Sequence, residues 1–547
     1  MVPPRPRRHL IASSRSLLLE SSRFPRVRLK QTEMKLSALI LIVLWCAILS
    51  SAQTPPPAAV MRSHVERFST PEVRAEKAEA DATAKLKVNP QDDEALNARA
   101  LARLRLNHYQ DALGDLRQAI ALKPTNADYQ ANLGYVLWKL GRANEAVEAE
   151  GAALKLDDKN YTAHYQLGRF LLRIGDPRQL PEAASQFRRA LELDPRQYDV
   201  RFELIAVYRL LNDSARAMSQ LLLVQDARPS DARVPYVRGL LATDRDDLKS
   251  AINDFREALQ RDRTLVGAWQ DLGLAYVKLN LWREAVDAFA ELAKQRGDSV
   301  EAAYFYALAL YNTQQSEAAE KEVRRALRIN PGAADAYTLL GIILASRGNA
   351  NGEASEALTQ AVALDAGNFD AVFNLGRVRY AEKDYQGAVK SLREAVRMRP
   401  KFAEARFFLG TSLESAGDSA AALTEYQELI KLDPESVYGQ VGAGAVLLKQ
   451  GKKDEAISVL QRAIAIDPRN FEARWSLGRA LMLGELYAEA AEALQVAVTL
   501  DPKRPDAHYQ LGQALRRLGR NEEAGREFAI VEKLNTEFRT NASPRNR

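Results

Sequence analysis

Thirteen alanines constrain this chain more than any other feature. Ala112, Ala146, Ala183, Ala217, Ala251, Ala285, Ala319, Ala354, Ala388, Ala422, Ala456, Ala490 and Ala524 follow one another at 34 residues, widened once to 37 and once to 35. Such a period commits a chain to stacking copies of one small unit, because no single copy can bury its own apolar face. The length of 547 residues therefore does not translate into three or four separate domains.

Two further registers run in phase with the alanines. Twelve residues ahead of each, after allowing for the insertions, stand Ala100, Gly134, Gly168, Ile205, Gly239, Gly273, Ala307, Gly341, Gly376, Gly410, Gly444, Gly478 and Gly512. The residue before this landing point is Leu in nine of the thirteen copies. Prolines recur at Pro124, Pro195, Pro229, Pro331, Pro400, Pro434, Pro468 and Pro502. The hexapeptide AHYQLG, at residues 163 to 168 and again at 507 to 512, is two rungs of this ladder.

The spacing predicts two helices per copy. In the second copy Leu133, Leu137 and Leu140 share a face at helical spacing, Gly141 breaks the chain, and Ala146, Ala153 and Leu154 build a second apolar face. Glycine and alanine mark where the two backbones approach closely. The prolines, in stretches such as ELDP and RINP, stop the second helix.

A helix-turn-helix of this period, with Leu-Gly in the first helix, Ala in the second and Pro at the exit, resembles the tetratricopeptide repeat (TPR) family. The resemblance covers residues 93 to 536. It implies an all-α, right-handed TPR α-solenoid whose first helices line a concave groove. The departures are local: Ile205 replaces the glycine, Val224, Leu292, Leu429 and Val531 replace a second alanine seven residues after the first, and GDPRQLPEAA lengthens one turn. Residues 53 to 92 are expected to hold a Pro-rich linker and a capping helix. Residues 537 to 547 read as a polar tail. Nothing follows to cover Phe528, Val531 and Leu534 on the last helix, so self-association through that end is one way to hide them.

Charge excludes a general attraction to polyanions. Residues 1 to 35 hold nine basic side chains against Glu20 and Glu33, a balance of +7, so with a chain total of +6 the remaining 512 residues sum to −1. No nucleic-acid partner is expected. From Met34, MKLSALILIVLWCAILSSAQ has a basic start, an uncharged run of 14 residues from Leu36 to Leu49, and a small-x-small site ending at Ala52. Residues 1 to 52 thus read as an N-terminal extension followed by a secretory signal of bacterial type, which predicts export to the periplasm or beyond. Uncleaved, the same run would anchor the chain to a membrane. The patternless residues ahead of Met34 fit translation starting there instead of at Met1. Cys46, the only cysteine, falls inside the apolar run, so cleavage after Ala52 leaves no thiol for disulfides or catalysis.

Catalytic signatures are missing. There is no HExxH, no histidine pair at metal-ligand spacing, no GxSxG and no calcium loop, and no cofactor is implied. The glycines around Gly442 lack both the spacing to Lys452 and the Ser or Thr of a phosphate loop. His164 and His508, four before the glycine, are read as ring substitutes for a packing aromatic. The groove supplies the candidate site. Three before the landing point stand Tyr165, Phe202, Tyr236, Tyr304, Phe373, Phe407, Trp475 and Tyr509, and one after it Arg169, Arg377 and Arg479. Rings beside guanidinium groups suit an extended peptide through stacking and bidentate contacts to carboxylates; the same rings also suit packing.

By the same resemblance, the Lys and Asn of carboxylate-clamping copies occur in none of the thirteen. The asparagine ladder of superhelices like that of the O-linked N-acetylglucosamine transferase is reduced to Asn132 and Asn374. The expected function is a non-catalytic exported scaffold for protein or peptide partners. An envelope assembly or export component, and an enzyme with an unrecognised site, are the two rivals.

Overall fold

The computed structural model describes residues 70–348 and 351–542. These residues contain twenty-seven α-helices and no strand. The signal segment and the Pro-rich stretch lie outside the described residues. Pro71–Val88 is a capping helix, with Thr70 accepting from the Val73 amide, and it packs on Asp93–Arg105. Thirteen helix pairs follow, from Asp93–Arg105 with Tyr109–Leu122 to Pro505–Arg517 with Asn521–Ala542. The last helix continues into the residues read from sequence as a polar tail.

The helices form two compact units, one ending at Arg296 and one beginning at Gly297. Within each unit every helix packs on its neighbours in sequence. First helices of successive repeats also touch: Ala127–Lys139 meets Tyr161–Ile174 in one unit, and Val437–Lys449 meets Phe471–Leu483 in the other. No pair of second helices does so to that extent, so the first helices form the inner layer of each stack.

Each repeat turns at one left-handed residue, seven after the landing point. That residue is Gly at 141, 175, 348, 417, 451 and 519, and Asn107, Asn212, Asp246, Asn280, Gln314, Lys383 and Glu485 elsewhere, all with positive φ. Glycine and asparagine reach this region at low cost, whereas a long side chain there costs about 1–2 kcal/mol. The turn is therefore imposed by the packed pair in the repeats that place Gln, Lys or Glu at it.

The core explains the alanines and glycines together. Every alanine of the fixed register is buried, and twelve of the thirteen are 0% exposed. Four residues after it the second helix presents a large side chain to the glycine of the first. A Cβ built on Gly273 would stand 2.4 Å from the Phe289 ring, and one on Gly478 would stand 2.4 Å from Leu494 Cγ. Phe187, Phe255, Leu358, Leu392, Tyr426, Leu460 and Phe528 fill the same position.

The second repeat breaks this rule, because it places Glu150 at the knob position. Glu150 is 0% exposed and lies against Gly134, and neither carboxylate oxygen has a hydrogen-bond partner. Burial pushes its carboxyl up to about 10, which keeps it neutral at ordinary pH.

Candidate functional site

The inner layer is stitched by side chains that reach from one first helix to the next. In the unit ending at Arg296, Asn132 donates to Asn97 Oδ1 at 2.9 Å, Arg209 holds Asp244 at 2.7 and 2.9 Å, and Tyr236 donates to Asp271 Oδ2 at 2.8 Å. Burial pushes the Asp271 carboxyl up to about 6, while the Tyr236 hydroxyl and Arg209 pull it back. Tyr236 reaches this position because residue 267 is glycine: a Cβ there would stand 2.6 Å from the phenolic oxygen. In the other unit Lys449 pairs with Glu414 at 2.5 Å and Ser415 donates to Tyr380 at 3.4 Å. All five links join residues 35 apart, one repeat plus one. A scan for complementary polar residues at that separation would have found them in the sequence.

Across the inner layers of the two units the eleven candidate residues divide by exposure. Phe202, Tyr236 and Phe373 are buried, at 0%, 5% and 2%. Tyr165, Tyr304, Phe407, Trp475 and the arginines Arg169, Arg377 and Arg479 are half-buried, and Tyr509 is 46% exposed. Each arginine folds back over the ring one helical turn before it. The guanidinium carbon lies 5.3 Å from the Tyr165 ring for Arg169, 5.6 Å from Phe373 for Arg377, and 4.9 Å from Trp475 for Arg479. Arg169 also lies 3.8 Å from the buried Glu203 of the next first helix. Burial among Phe373 and Phe408 draws the Arg377 guanidinium below its ordinary value.

An aromatic run extends the wall through repeats nine to eleven. Phe369 and Phe373 both meet Phe402 edge-on, at 5.1 and 5.3 Å, Phe373 meets Phe408 at 5.9 Å, and Phe407 links Phe408 at 5.4 Å to Tyr438 at 5.3 Å. Tyr438 ends the run and is 48% exposed.

A second function of the first helix has no simple sequence signature. The residue four before the landing point donates to the carbonyl six residues back, in the turn between repeats. Trp269 Nε1 donates to Arg263 O at 2.9 Å, Arg201 to Pro195 O at 3.0 Å, Arg406 to Pro400 O at 3.0 Å and Arg474 to Pro468 O at 3.3 Å. His164 and His508 take the same place, with Nε2 at 3.0 Å from Asp158 O and 3.1 Å from Pro502 O. Their Nδ1 atoms contact Gln186 and Glu527 on the second helix. These histidines are thus polar ties as well as packed rings. Trp, His and Arg share little in size or charge, only an N–H within reach of the turn, which is why the rung looks irregular in sequence.

Among the described residues no group of three or more His, Cys, Asp or Glu could hold a metal ion, and no helix is long and apolar enough to cross a membrane.

The chain is 22% identical over 284 residues to the Drosophila melanogaster BBSome complex member BBS4 homolog, covering 44% of this chain and 58% of the relative. It is 25% identical over 240 residues to the human protein O-mannosyl-transferase TMTC3, covering 43% of this chain and 26% of that one. The chain therefore spans less than two thirds of the length of either relative. Among solved structures it is similar to YrrB, described as a TPR protein with an unusual peptide-binding site, at 24% identity and a TM-score of 0.33 over 35% of this chain and 97% of that one. The description "Tetratricopeptide repeat" matches residues 131–177, 178–232, 271–334, 307–371, 338–396, 373–437 and 441–505, and "TPR repeat" matches residues 102–141. With more than half of its length matched, the chain belongs to the tetratricopeptide repeat family.

Proposed function

We propose that this protein is a non-catalytic scaffold, exported by the segment from Met34 to Ala52, that binds partner proteins or peptides along the inner wall of its first helices. Family membership supports protein–protein interaction as the general role. The observation that carries the finer reading is the set of partly exposed rings on first helices, Tyr165 in the unit ending at Arg296 and Tyr304, Phe407, Trp475 and Tyr509 in the unit beginning at Gly297, where neighbouring first helices are tied by cross-repeat hydrogen bonds. A rigid wall loses little entropy on binding, and partly exposed rings suit the apolar side chains of an extended chain.

The test is crosslinking in intact cells of the source organism, with a photoreactive residue at Tyr304 and a control at Lys390, which is exposed on the second helix Tyr385–Met398. Capture of one extracytoplasmic protein from Tyr304 alone supports the reading. Equal capture from both positions, or none from Tyr304, overturns it.

A further inference from the structure

In the unit beginning at Gly297 the inner layer changes charge along the stack. The first helices Val300–Asn312 and Ala334–Ser346 carry Glu301 and Asp335 and no Lys or Arg. Val437–Lys449, Phe471–Leu483 and Pro505–Arg517 carry Lys449, Arg474, Arg479, Arg516 and Arg517. Their two acids, Glu472 and Asp506, are both held by one additional cation, Arg504, at 3.0 and 2.9 Å. At this end of the wall the three first helices and Arg504 together carry six cations against these two acids, with Lys449 paired to Glu414 of the preceding first helix. Arg516 and Arg517 are exposed, each 5.8 Å from a ring, of Phe528 and Tyr487, and no ion pair engages either among the described residues.

The same three repeats concentrate exposed apolar surface: Tyr438 at 48%, Leu483 at 58% and Tyr509 at 46%. Trp475 lies between, with the guanidinium carbons of Arg479 and Arg504 at 4.9 and 5.3 Å from its ring. Guanidinium groups beside partly exposed rings recognise carboxylates that alternate with aromatic or long apolar side chains. Taking the groove reading above as its basis, we infer that repeats eleven to thirteen hold one end of a partner that also passes Tyr304, and that this end is an acidic peptide with interspersed aromatic or long apolar residues. A peptide fits better than a nucleic acid, because residues 36 to 547 carry a net charge of −1 and offer no general field for polyanions.

The test is selection of random short peptides displayed against the full-length chain. The retained pool is expected to be enriched several-fold in Asp and Glu together with Phe, Trp or Leu, and the enrichment is expected to weaken in high salt. The triple variant Arg479→Glu, Arg516→Glu, Arg517→Glu should lose the acidic enrichment or turn it basic, while Lys390→Glu leaves it intact, both with unchanged helical circular dichroism. A neutral or basic pool, or acidic enrichment that survives the triple reversal, overturns the inference. So does a dT oligonucleotide that displaces the selected peptides and binds the triple variant no less tightly. A neutral pool alongside Tyr304-specific crosslinking refutes only this inference; failure of both refutes the groove reading beneath it.

Discussion

Replacing Glu150 with leucine should stabilise the second repeat, and the gain should depend on pH. The carboxyl is fully buried against Gly134 without a hydrogen-bond partner, and burial holds it protonated up to about pH 10. In the unfolded chain the same group ionises around its ordinary value of 4.5. Its folded value is raised, so folding carries no ionisation penalty below pH 4.5. The penalty grows through neutrality and levels off near pH 10, where both states are charged. Each pH unit in that window costs about 1.4 kcal/mol, or roughly 3.4 kcal/mol at pH 7, and that figure requires only that the folded carboxyl is still neutral there. Leucine fits the site, since Leu358, Leu392, Leu460 and Leu494 pack on Gly341, Gly376, Gly444 and Gly478 at the same position.

Glu150→Leu should therefore raise the opening free energy of amides in Ala127–Lys139 and Ala143–Leu156 by about 3 kcal/mol at neutral pH, and by less than about 1 kcal/mol from this source near pH 5. Glu150→Gln should reproduce the pH-dependent part, since it removes the titration and keeps the size. Native-state hydrogen exchange of the two variants and the parent, at several pH values, measures both. A gain that does not vary with pH, or a leucine variant that opens more easily at pH 7, would refute the argument, because it would mean that Glu150 is charged and compensated in the folded repeat.

Five other substitutions test the same packing logic. Ala388→Leu overfills a fully buried contact and should cost about 1–3 kcal/mol in chemical denaturation. Gly273→Ala drives a methyl to within 2.4 Å of Phe289 and should destabilise, whereas Gly151→Ala, with nothing within 4 Å of the new carbon, should stabilise its helix by about 0.5–1 kcal/mol; a common sign for both in thermal melts would count against the knob arrangement. Glu485→Gly relieves a left-handed residue and should gain about 1 kcal/mol, read as slower exchange in Phe471–Leu483 and Tyr487–Leu500. Arg474→Met removes the donor to Pro468 O while retaining the aliphatic stem, and should cost about 0.5–1.5 kcal/mol, visible as faster exchange around Asp467–Asn470.

Much of this architecture was legible because the repeat multiplies every local signal. One Gly at position 478 says little, but ten glycines in phase say that two backbones meet there, and the structure shows the Phe, Tyr or Leu that fills the space. What stayed hidden depends on conformation or on cross-repeat geometry. Gly141 announced a turn; Lys383 and Glu485 occupy the same left-handed position without a residue type that favours it. The ring character of His164 and His508 was readable, but their bonds to Asp158 O and Pro502 O were not. In the candidate site, the regular placement of aromatics was plain from sequence. Their division into buried Phe202, Tyr236 and Phe373 and exposed Tyr509 was not, because exposure depends on what the next first helix brings alongside.

Glu150 shows what the solenoid permits that a globular core would not. In a single domain stabilised by roughly 5–15 kcal/mol, an uncompensated cost of several kcal/mol at one buried carboxyl would threaten the whole fold. Here each repeat touches only its neighbours, so the cost falls on the second repeat and on the pairs that flank it, Asp93–Arg105 with Tyr109–Leu122 and Tyr161–Ile174 with Leu180–Leu193. Stability is then distributed unevenly along the stack. The second repeat should exchange its amides faster than repeats twelve and thirteen, whose knobs are Leu494 and Phe528, even though its Ala146 and Ala153 are as deeply buried as theirs. Uniform protection across these three repeats would mean that neighbouring repeats share the cost over longer distances than their contacts suggest.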